Sequence, residues 1–130
     1  MTAVPSGVVT FLFTDVEGST RRWENDADAM RAAMAAHDKV LRAAIEGHGG
    51  FLFKHTGDGV CAAFSSPRAG VDAAIAAQRK LELPVRMGIA TGEAELRAGE
   101  YFGASAQHRY PRLDRHLERQ SAPVRLDQDR

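Results

Sequence analysis

The sequence contains a single cysteine, Cys61, so it cannot form an internal disulfide. A chain without disulfides is typical of a reducing compartment, and its N-terminus lacks the basic segment and apolar run of a secretory leader, so we expect a cytoplasmic protein. No apolar run approaches the roughly 20 residues of a membrane-spanning helix. The 17 basic residues balance 17 acidic ones, and this even balance argues against a nucleic-acid partner. The lack of a long apolar run likewise argues against a membrane partner.

Glycine is absent from the last 27 residues, although the chain has 12 glycines between Gly7 and Gly103. The same segment carries six arginines and has no regular apolar pattern. A length of 130 residues with 44% hydrophobic and 26% charged residues is typical of one globular domain. We therefore predict a folded domain over residues 1–103 and an aberrant, poorly ordered tail over residues 104–130.

The first half of the chain alternates between strand and helix patterns. The apolar run Gly7–Asp15 is typical of a strand buried on both faces. A helix is predicted from Asp26 to about Glu46, because apolar residues recur there at helical spacing. Its inner face would comprise Met30, Met34, His37, Leu41 and Ile45. Two short apolar runs, Phe51–Lys54 and Val60–Phe64, flank HTGDG and predict a β-hairpin.

A second helix and two further strands complete the pattern. Ser65 or Ser66 can cap this helix, with Pro67 in its first turn. Its predicted inner stripe consists of Val71, Ala74, Ile75, Gln78 and Leu81. Strands are expected to begin near Val85 and to lie around Tyr101. The order β-α-β-β-α-β predicts an α+β domain of the ferredoxin-like, or split βαβ, type.

Two aspartates occupy positions suited to binding a cation. Asp15 ends the first strand, and Asp58 lies between two glycines at the hairpin tip. The first strand and the hairpin are neighbours in a split βαβ sheet, so both carboxylates could face one Mg²⁺ or Mn²⁺ ion. The amides of VEGST after Asp15 would suit an anion. Read alone, Asp15 also fits a helix N-cap and Asp58 a turn former, and both alternatives remain open.

Other polar residues also have ordinary interpretations. Lys54 fits a solvated strand residue, and His37 fits the edge of the core. Cys61 fits a small buried hydrophobe. These residue types alone do not assign a function.

Four motifs occur in order between Val8 and Gly103. They are FLFTDVEGST, FKHTGDGVCAAF, VRMGIATGEAEL and GEYFG. Together they resemble the catalytic domain of class III nucleotide cyclases of the bacterial, actinobacterial type, over about the first two thirds of such a domain. The resemblance implies the ferredoxin-like nucleotide cyclase fold.

The resemblance also implies roles for matched residues. Asp15, Asp58 and the backbone carbonyl of Val16 would bind two Mg²⁺ or Mn²⁺ ions per site. The phosphate-binding residues would be Glu17, Gly18, Ser19 and Thr20. Lys54 would read the purine by donating to adenine N1, whereas guanine presents a donor there. Glu100 would accept a hydrogen bond from the adenine amino group. Adenylate cyclases of this family usually carry an aspartate at this position.

The implied activity is conversion of ATP to 3′,5′-cyclic AMP and pyrophosphate. Such sites lie between two subunits, so a homodimer is the implied assembly. Signalling domains absent from this chain are further implied partners.

The resemblance ends after Gly103. The family places an asparagine and, four residues on, an arginine where this chain has Gln107 and Pro111. Arg112 is one residue late, which on a helix turns it by about 100°. No lysine follows Lys80, so the family's later phosphate-binding lysine has no match. We therefore expect a C-terminally truncated domain that is weakly active or inactive.

Our hypothesis for this departure is a frameshift. The segment ASAQHRYP can be encoded so that the bases, read one position later, give Pro-Val-Leu-Asn-Thr-Ala-Thr followed by the start of an arginine codon. That alternative reading contains the family's asparagine and arginine at the correct spacing. We expect the coding DNA after Gly103 to contain a single-base shift.

Two other functions can be weighed against the pattern, of which the first fits it and the second does not. A non-catalytic module could bind nucleotide or dimerise in signalling with Asp15, Asp58 and Lys54 intact. A diguanylate cyclase would carry a GG(D/E)EF hairpin, whereas the hairpin tip here is HTGDG.

Overall fold

The computed structural model describes residues 4–98 and 100–103, in which five strands and three helices form. The strands are β1 (Gly7–Val16), β2 (Phe51–His55), β3 (Val60–Phe64), β4 (Val85–Arg97) and β5 (Glu100–Phe102). The helices are α1 (Ser19–Asn25), α2 (Ala27–Gly47) and α3 (Pro67–Gln78). This order confirms the ferredoxin-like arrangement, with two helices rather than one between β1 and β2.

Strand β1 lies at the centre of the sheet, whose strand order is β2-β3-β1-β4-β5. It pairs antiparallel with β3 and with β4. Residues Val9 to Thr14 are buried on both faces of the sheet, as the continuous apolar run predicts. The first strand and the hairpin are therefore neighbours, as expected for this topology.

Helices α2 and α3 cover one face of the sheet. The predicted inner face of α2 is confirmed, because its buried residues are Met30, Met34, His37, Leu41 and Ile45. Asp26 caps this helix by accepting a hydrogen bond from the Ala29 amide at 3.0 Å. Ser66 caps α3 in the same way, through the Ala69 amide at 3.1 Å.

The predicted inner stripe of α3 is partly wrong. The buried residues of this helix are Gly70, Ala73, Ala74 and Ala77. Val71 is instead 40% exposed. A Cβ on Gly70 would lie 3.0 Å from Thr10 Cγ2, so α3 approaches β1 closely and presents its smallest residues to the sheet. The larger residues Ile75, Gln78 and Leu81 lie half-buried at its margins.

The opposite face of the sheet carries a cluster of rings, which we call the aromatic face. Its rings belong to Phe11, Phe13, Phe51, Phe53 and Tyr101. Phe53 on β2 and Tyr101 on β5 have ring centroids only 4.9 Å apart, although their strands are the two edges of the sheet. The sheet is therefore curled, and side chains of its edge strands meet across this face. Tyr101 also donates a hydrogen bond to the Pro5 carbonyl at 2.8 Å.

None of the helices in residues 4–98 and 100–103 has the length and apolar character needed to span a membrane. The predicted tail, residues 104–130, lies outside the described residues.

Candidate functional site

The hairpin tip and the end of β1 are in direct backbone contact. The Val16 amide donates to the Asp58 carbonyl at 2.9 Å, and the Val60 amide donates to Thr14 Oγ1 at 2.9 Å. A Cβ on Gly59 would lie 1.8 Å from the Thr14 carbonyl oxygen, a distance that no side chain tolerates. The hairpin can approach β1 this closely because residue 59 is glycine. These contacts bring Asp15 and Asp58 to the same end of the sheet, where β1 finishes.

The loop between β1 and α1 is attached to the same end of the sheet. Ser19 Oγ donates to Asp58 Oδ2 at 2.7 Å. The Glu17 amide donates to the Pro84 carbonyl at 2.9 Å. Gly18 adopts a left-handed conformation, with φ of 65°, and allows the sharp turn into α1. The loop is therefore held between the hairpin and the start of β4.

Asp15 is paired with an arginine that the sequence interpretation missed. Arg86 lies directly opposite Asp15 in the register of β1 and β4. Its Nη2 donates to Asp15 Oδ2 at 2.7 Å, and the side chains of Arg86 and Asp15 are 31% and 20% exposed. The signal in the sequence is a charged residue inside the apolar strand VRMGI.

The oxygen atoms at this end of the sheet fit a hard divalent cation. The carboxylates of Asp15 and Asp58 and the Val16 carbonyl are all oxygen donors, which Mg²⁺ and Mn²⁺ prefer. Within residues 4–98 and 100–103, no cluster of three or more His, Cys, Asp or Glu side chains forms a metal site. Mg²⁺ is usually held by one or two carboxylates with water and substrate phosphates, so two carboxylates suffice.

An open groove of about 870 Å³ adjoins the loop. Its lining includes two arginines, Arg21 and Arg22, and two glutamates, Glu17 and Glu24, together with Gly18 and Thr20. Three of the four residues predicted to bind phosphates therefore line an accessible space, in which the charges of two arginines are balanced by those of two glutamates. The fourth, Ser19, is hydrogen-bonded to Asp58.

Lys54 lies on the aromatic face because of a β-bulge. The register of β2 and β3 shifts between Leu52 and Lys54, so that Lys54 lies opposite Cys61. Cross-strand partners share one face of a sheet, and Cys61 belongs to the aromatic face. Phe51 and Phe53 lie on the aromatic face, so strict alternation without the bulge would direct Lys54 towards the helices.

Cys61 is a free, buried thiol, as predicted. Burial raises its pKa to about 12, and the nearby Lys54 ammonium lowers it by a smaller amount. A thiol with so high a pKa remains protonated near neutral pH and is a poor nucleophile. Cys61 therefore contributes packing rather than chemistry.

The stability of the domain is expected to fall as the pH rises from about 9 to about 12. The unfolded thiol ionises near its ordinary pKa of 9.0, whereas the folded Cys61 stays protonated until about 12. The folded state then binds more protons than the unfolded state, so its advantage is lost with rising pH. Burial also raises the pKa of Tyr101, from 10.0 to about 12, which adds to the loss in the upper part of this range.

Urea unfolding at a series of pH values measures this effect. The variant Cys61→Ala is expected to lose less unfolding free energy across the range than the wild type. Identical pH profiles for the two proteins would contradict the assignment to Cys61.

Glu100 is exposed on β5, opposite Arg97 of β4. Its neighbour Tyr101 faces the aromatic cluster, so alternation along the strand directs Glu100 to the other side. The structure therefore does not bring Glu100 to the face that carries Lys54. The predicted positions Gln107, Pro111 and Arg112 lie outside the described residues.

Comparisons with known sequences connect this chain to cyclases. No protein-family model matches the chain. An uncharacterized protein of Mycobacterium tuberculosis is 37% identical over 103 residues, which cover 76% of this chain and 36% of that protein. An adenylate cyclase of Lachancea kluyveri is 38% identical over 79 residues, which cover 61% of this chain and 4% of the cyclase. The chain thus spans about a third of the mycobacterial relative and a small part of the yeast enzyme.

Solved structures give the same connection at the level of the fold. An adenylate/guanylate cyclase/hydrolase of Silicibacter pomeroyi matches with a TM-score of 0.69 and 27% identity, over 89% of this chain and 72% of that chain. An adenylate cyclase of Trypanosoma brucei, solved in its monomeric state, matches with a TM-score of 0.67 and 26% identity. The match covers 76% of this chain and 65% of that chain. The guanylate cyclase domain of a protein from Catenaria anguillulae, solved with GTP, shares the fold, with a TM-score of 0.71 and 15% identity. The match covers 93% of this chain and 77% of that chain.

Proposed function

Because this chain belongs to the class III nucleotide cyclases, we propose that residues 7–103 form the metal- and nucleotide-binding part of an adenylate cyclase site. The observation that carries the proposal is the convergence of Asp15 and Asp58, enforced by the hydrogen bond from the Val16 amide to the Asp58 carbonyl at 2.9 Å. A helix cap or a turn former would not require this contact. Two carboxylates, connected through Ser19 to a loop that borders an accessible groove, are suited to a metal-bound triphosphate.

The proposed reaction is intramolecular phosphoryl transfer within ATP. The ribose 3′-oxygen attacks the α-phosphorus and gives up its proton to water, while the bond between the α-phosphorus and the oxygen that bridges to the β-phosphate breaks and pyrophosphate leaves. Asp15, Asp58 and the Val16 carbonyl would hold two Mg²⁺ or Mn²⁺ ions, which would supply positive charge to the phosphate oxygens and acidify the attacking hydroxyl. Ser19 would orient the Asp58 carboxylate through its 2.7 Å hydrogen bond.

Substrate choice is assigned to Lys54. Its ammonium group can donate to adenine N1, whereas the N1–H of guanine would face it with a second donor. The exposed position of Lys54 leaves it accessible to a base. Glu100, on the other side of β5, is left out of the proposed base contact.

The complete site is proposed to form between two copies of the chain, in the cytoplasm. The family's asparagine and arginine correspond here to Gln107 and Pro111, neither of which can replace a guanidinium that stabilises phosphate charge. We therefore propose that ATP binds and that turnover by this chain is weak or absent. A non-catalytic nucleotide-binding or dimerising module is the second candidate. Gln107 and Pro111 favour it, because they stand where the family has its asparagine and arginine.

Asp58→Asn tests the proposal. The substitution keeps the size of the side chain and removes its charge, so the affinity for Mn²⁺–ATP should fall at least about tenfold, which corresponds to about 1.4 kcal/mol. Calorimetry with Mn²⁺ and ATP measures the affinity, and a cyclic AMP assay on the same samples measures turnover. Asp72→Asn, on the exposed side of α3, is the matched control and should bind like the wild type.

The possible results separate the candidates. Equal Mn²⁺–ATP affinity in the wild type and Asp58→Asn would contradict the metal role of Asp58. Binding that needs Asp58 but yields no cyclic AMP supports the non-catalytic module. Rapid formation of cyclic AMP by the wild type would show that the proposed loss of activity is wrong.

A further inference from the structure

A threonine hydroxyl joins the two segments that carry the proposed cation ligands. The regular pairing of β1 with β3 ends one residue before Thr14. At Thr14 itself, the Val60 amide donates to the side-chain Oγ1 at 2.9 Å, so a side chain serves as the acceptor for this amide. Thr14 immediately precedes Asp15, and Val60 follows Asp58 by two residues. One hydroxyl therefore connects the strand end that carries Asp15 to the hairpin that carries Asp58.

The hydrogen bond between Val60 and Thr14 is buried, since Val60 is fully buried and Thr14 is 7% exposed. A buried amide that loses its acceptor costs free energy, because no water replaces the lost partner. To use the Thr14 main-chain carbonyl instead, the hairpin would have to move, and Gly59 already packs tightly against that carbonyl. The Thr14 hydroxyl thus acts as a spacer that sets the distance between the hairpin and β1.

The separation of two carboxylate ligands matters more for Mg²⁺ than for Ca²⁺. Mg²⁺ demands near-ideal octahedral geometry with oxygen ligands at about 2.0–2.1 Å, whereas Ca²⁺ accepts flexible geometries at about 2.3–2.6 Å. A loosened pair of carboxylates can still adapt to Ca²⁺, but it less readily supplies the strict geometry that Mg²⁺ needs. A residue that fixes the pair therefore influences which cation the site prefers.

We propose that Thr14 is a positioning residue whose hydroxyl fixes the separation of Asp15 and Asp58, and that this rigidity favours Mg²⁺ over Ca²⁺ in the nucleotide-bound site. This inference rests on the proposed function of the site. Thr14 acts through the Val60 amide, two residues from Asp58, rather than by direct contact with the cation. Its role differs from that of Ser19, which donates to the Asp58 carboxylate itself.

The test compares the binding of two cations in the variant Thr14→Val, which keeps the branched shape and removes the oxygen. The probe is 3′-deoxy-ATP, which lacks the attacking hydroxyl, so calorimetry with Mg²⁺ or Ca²⁺ proceeds without turnover. The affinity for the Mg²⁺ complex should fall about tenfold, as is typical when a group that orients metal ligands is lost. The affinity for the Ca²⁺ complex should fall by no more than about threefold. A merely destabilised fold would lower both affinities by the same factor.

Further variants make the test specific to the hydroxyl. Thr14→Ser keeps the oxygen and should retain the cation preference of the wild type. Thr10→Val is the matched control, because Thr10 is a buried threonine of the same strand whose Oγ1 lies 2.9 Å from Thr91 Oγ1. It pairs with Phe64 at the far end of β3 and should bind both complexes like the wild type. If circular dichroism shows that Thr14→Val does not fold, Thr14→Ala compared with Thr14→Ser carries the same prediction.

The outcome that overturns the inference is distinct from failure of the proposed function. If folded Thr14→Val, or Thr14→Ala relative to Thr14→Ser, keeps the wild-type ratio of Mg²⁺ to Ca²⁺ affinity, the role of Thr14 is wrong even where Asp58→Asn weakens Mn²⁺–ATP binding. If Asp58→Asn binds Mn²⁺–ATP like the wild type, the proposed function itself fails. A change of the ratio in Thr14→Ser equal to that in Thr14→Val would contradict the role of the hydroxyl. The same change in Thr10→Val would assign the effect to the strand as a whole and also overturn the inference.

Discussion

Replacing Gly59 with alanine is expected to cost about 3 kcal/mol or more of unfolding free energy. The new Cβ would lie 1.8 Å from the Thr14 carbonyl oxygen and 2.7 Å from its carbon. Both are backbone atoms of the central strand. Because Thr14 is also paired with Met87 on the other side of β1, the strand cannot move aside without loss of that pairing.

The same substitution should also separate the two candidate metal ligands. The hairpin tip would have to retreat from β1 by more than an ångström to accept the methyl group, which would break the hydrogen bond between Val16 and Asp58. Mn²⁺–ATP binding should therefore weaken even under conditions where the variant remains folded. A merely destabilised core would not predict this loss.

Gly47→Ala is the matched control for Gly59→Ala. Gly47 is the last residue of α2, and a Cβ there would have nothing within 4 Å. Alanine is the better helix former, so this variant should be as stable as the wild type or gain up to about 1 kcal/mol. Urea unfolding followed by circular dichroism compares the three proteins. A loss below about 1 kcal/mol in Gly59→Ala would contradict the close contact.

Phe11→Ala is expected to cost about 3–5 kcal/mol of unfolding free energy. Phe11 is fully buried at the middle of the aromatic face. Its ring lies 5.1 Å from that of Tyr101 and 5.9 Å from that of Phe13. The substitution therefore leaves a cavity and also removes an edge-to-face pair, which contributes about 0.5–1.5 kcal/mol beyond burial.

Val71→Ala provides the comparison, because sequence periodicity assigned Val71 to the core. The structure exposes 40% of this residue, so its truncation should change stability by no more than about 0.5 kcal/mol. Chemical denaturation of both variants measures the contrast. A large loss in Val71→Ala, or a small one in Phe11→Ala, would reverse the assignment of the two positions.

Local patterns were sufficient for most of the fold. The inner face of α2 follows from residues repeated at helical spacing, and the hairpin follows from two apolar runs around glycines. The proximity of Asp15 and Asp58 was predictable because the split βαβ topology makes the first strand and the hairpin neighbours. These features depend on the spacing of apolar residues along the chain and on the rule that sequential elements lie close together in space.

The remaining features depend on distances that the sequence does not encode locally. The face of α3 is set by how closely the helix approaches β1 at Gly70, so small residues replace the expected apolar stripe. The face occupied by Lys54 depends on the bulge at Phe53, and the sequence has no glycine or other turn residue at that position to indicate a bulge. Arg86 meets Asp15 across 71 residues of sequence, through a register that only the assembled sheet defines.

The central position of β1 constrains the order of folding. This strand is made first, yet its two hydrogen-bonding partners are β3 and β4, which begin at Val60 and Val85. During synthesis its run of apolar residues therefore stays unpaired while the α2 helix can already form, since helices need only local contacts. Such a strand is prone to intermolecular pairing until β4 is available. The slow step of folding is thus expected to be the insertion of β1 between its two later partners.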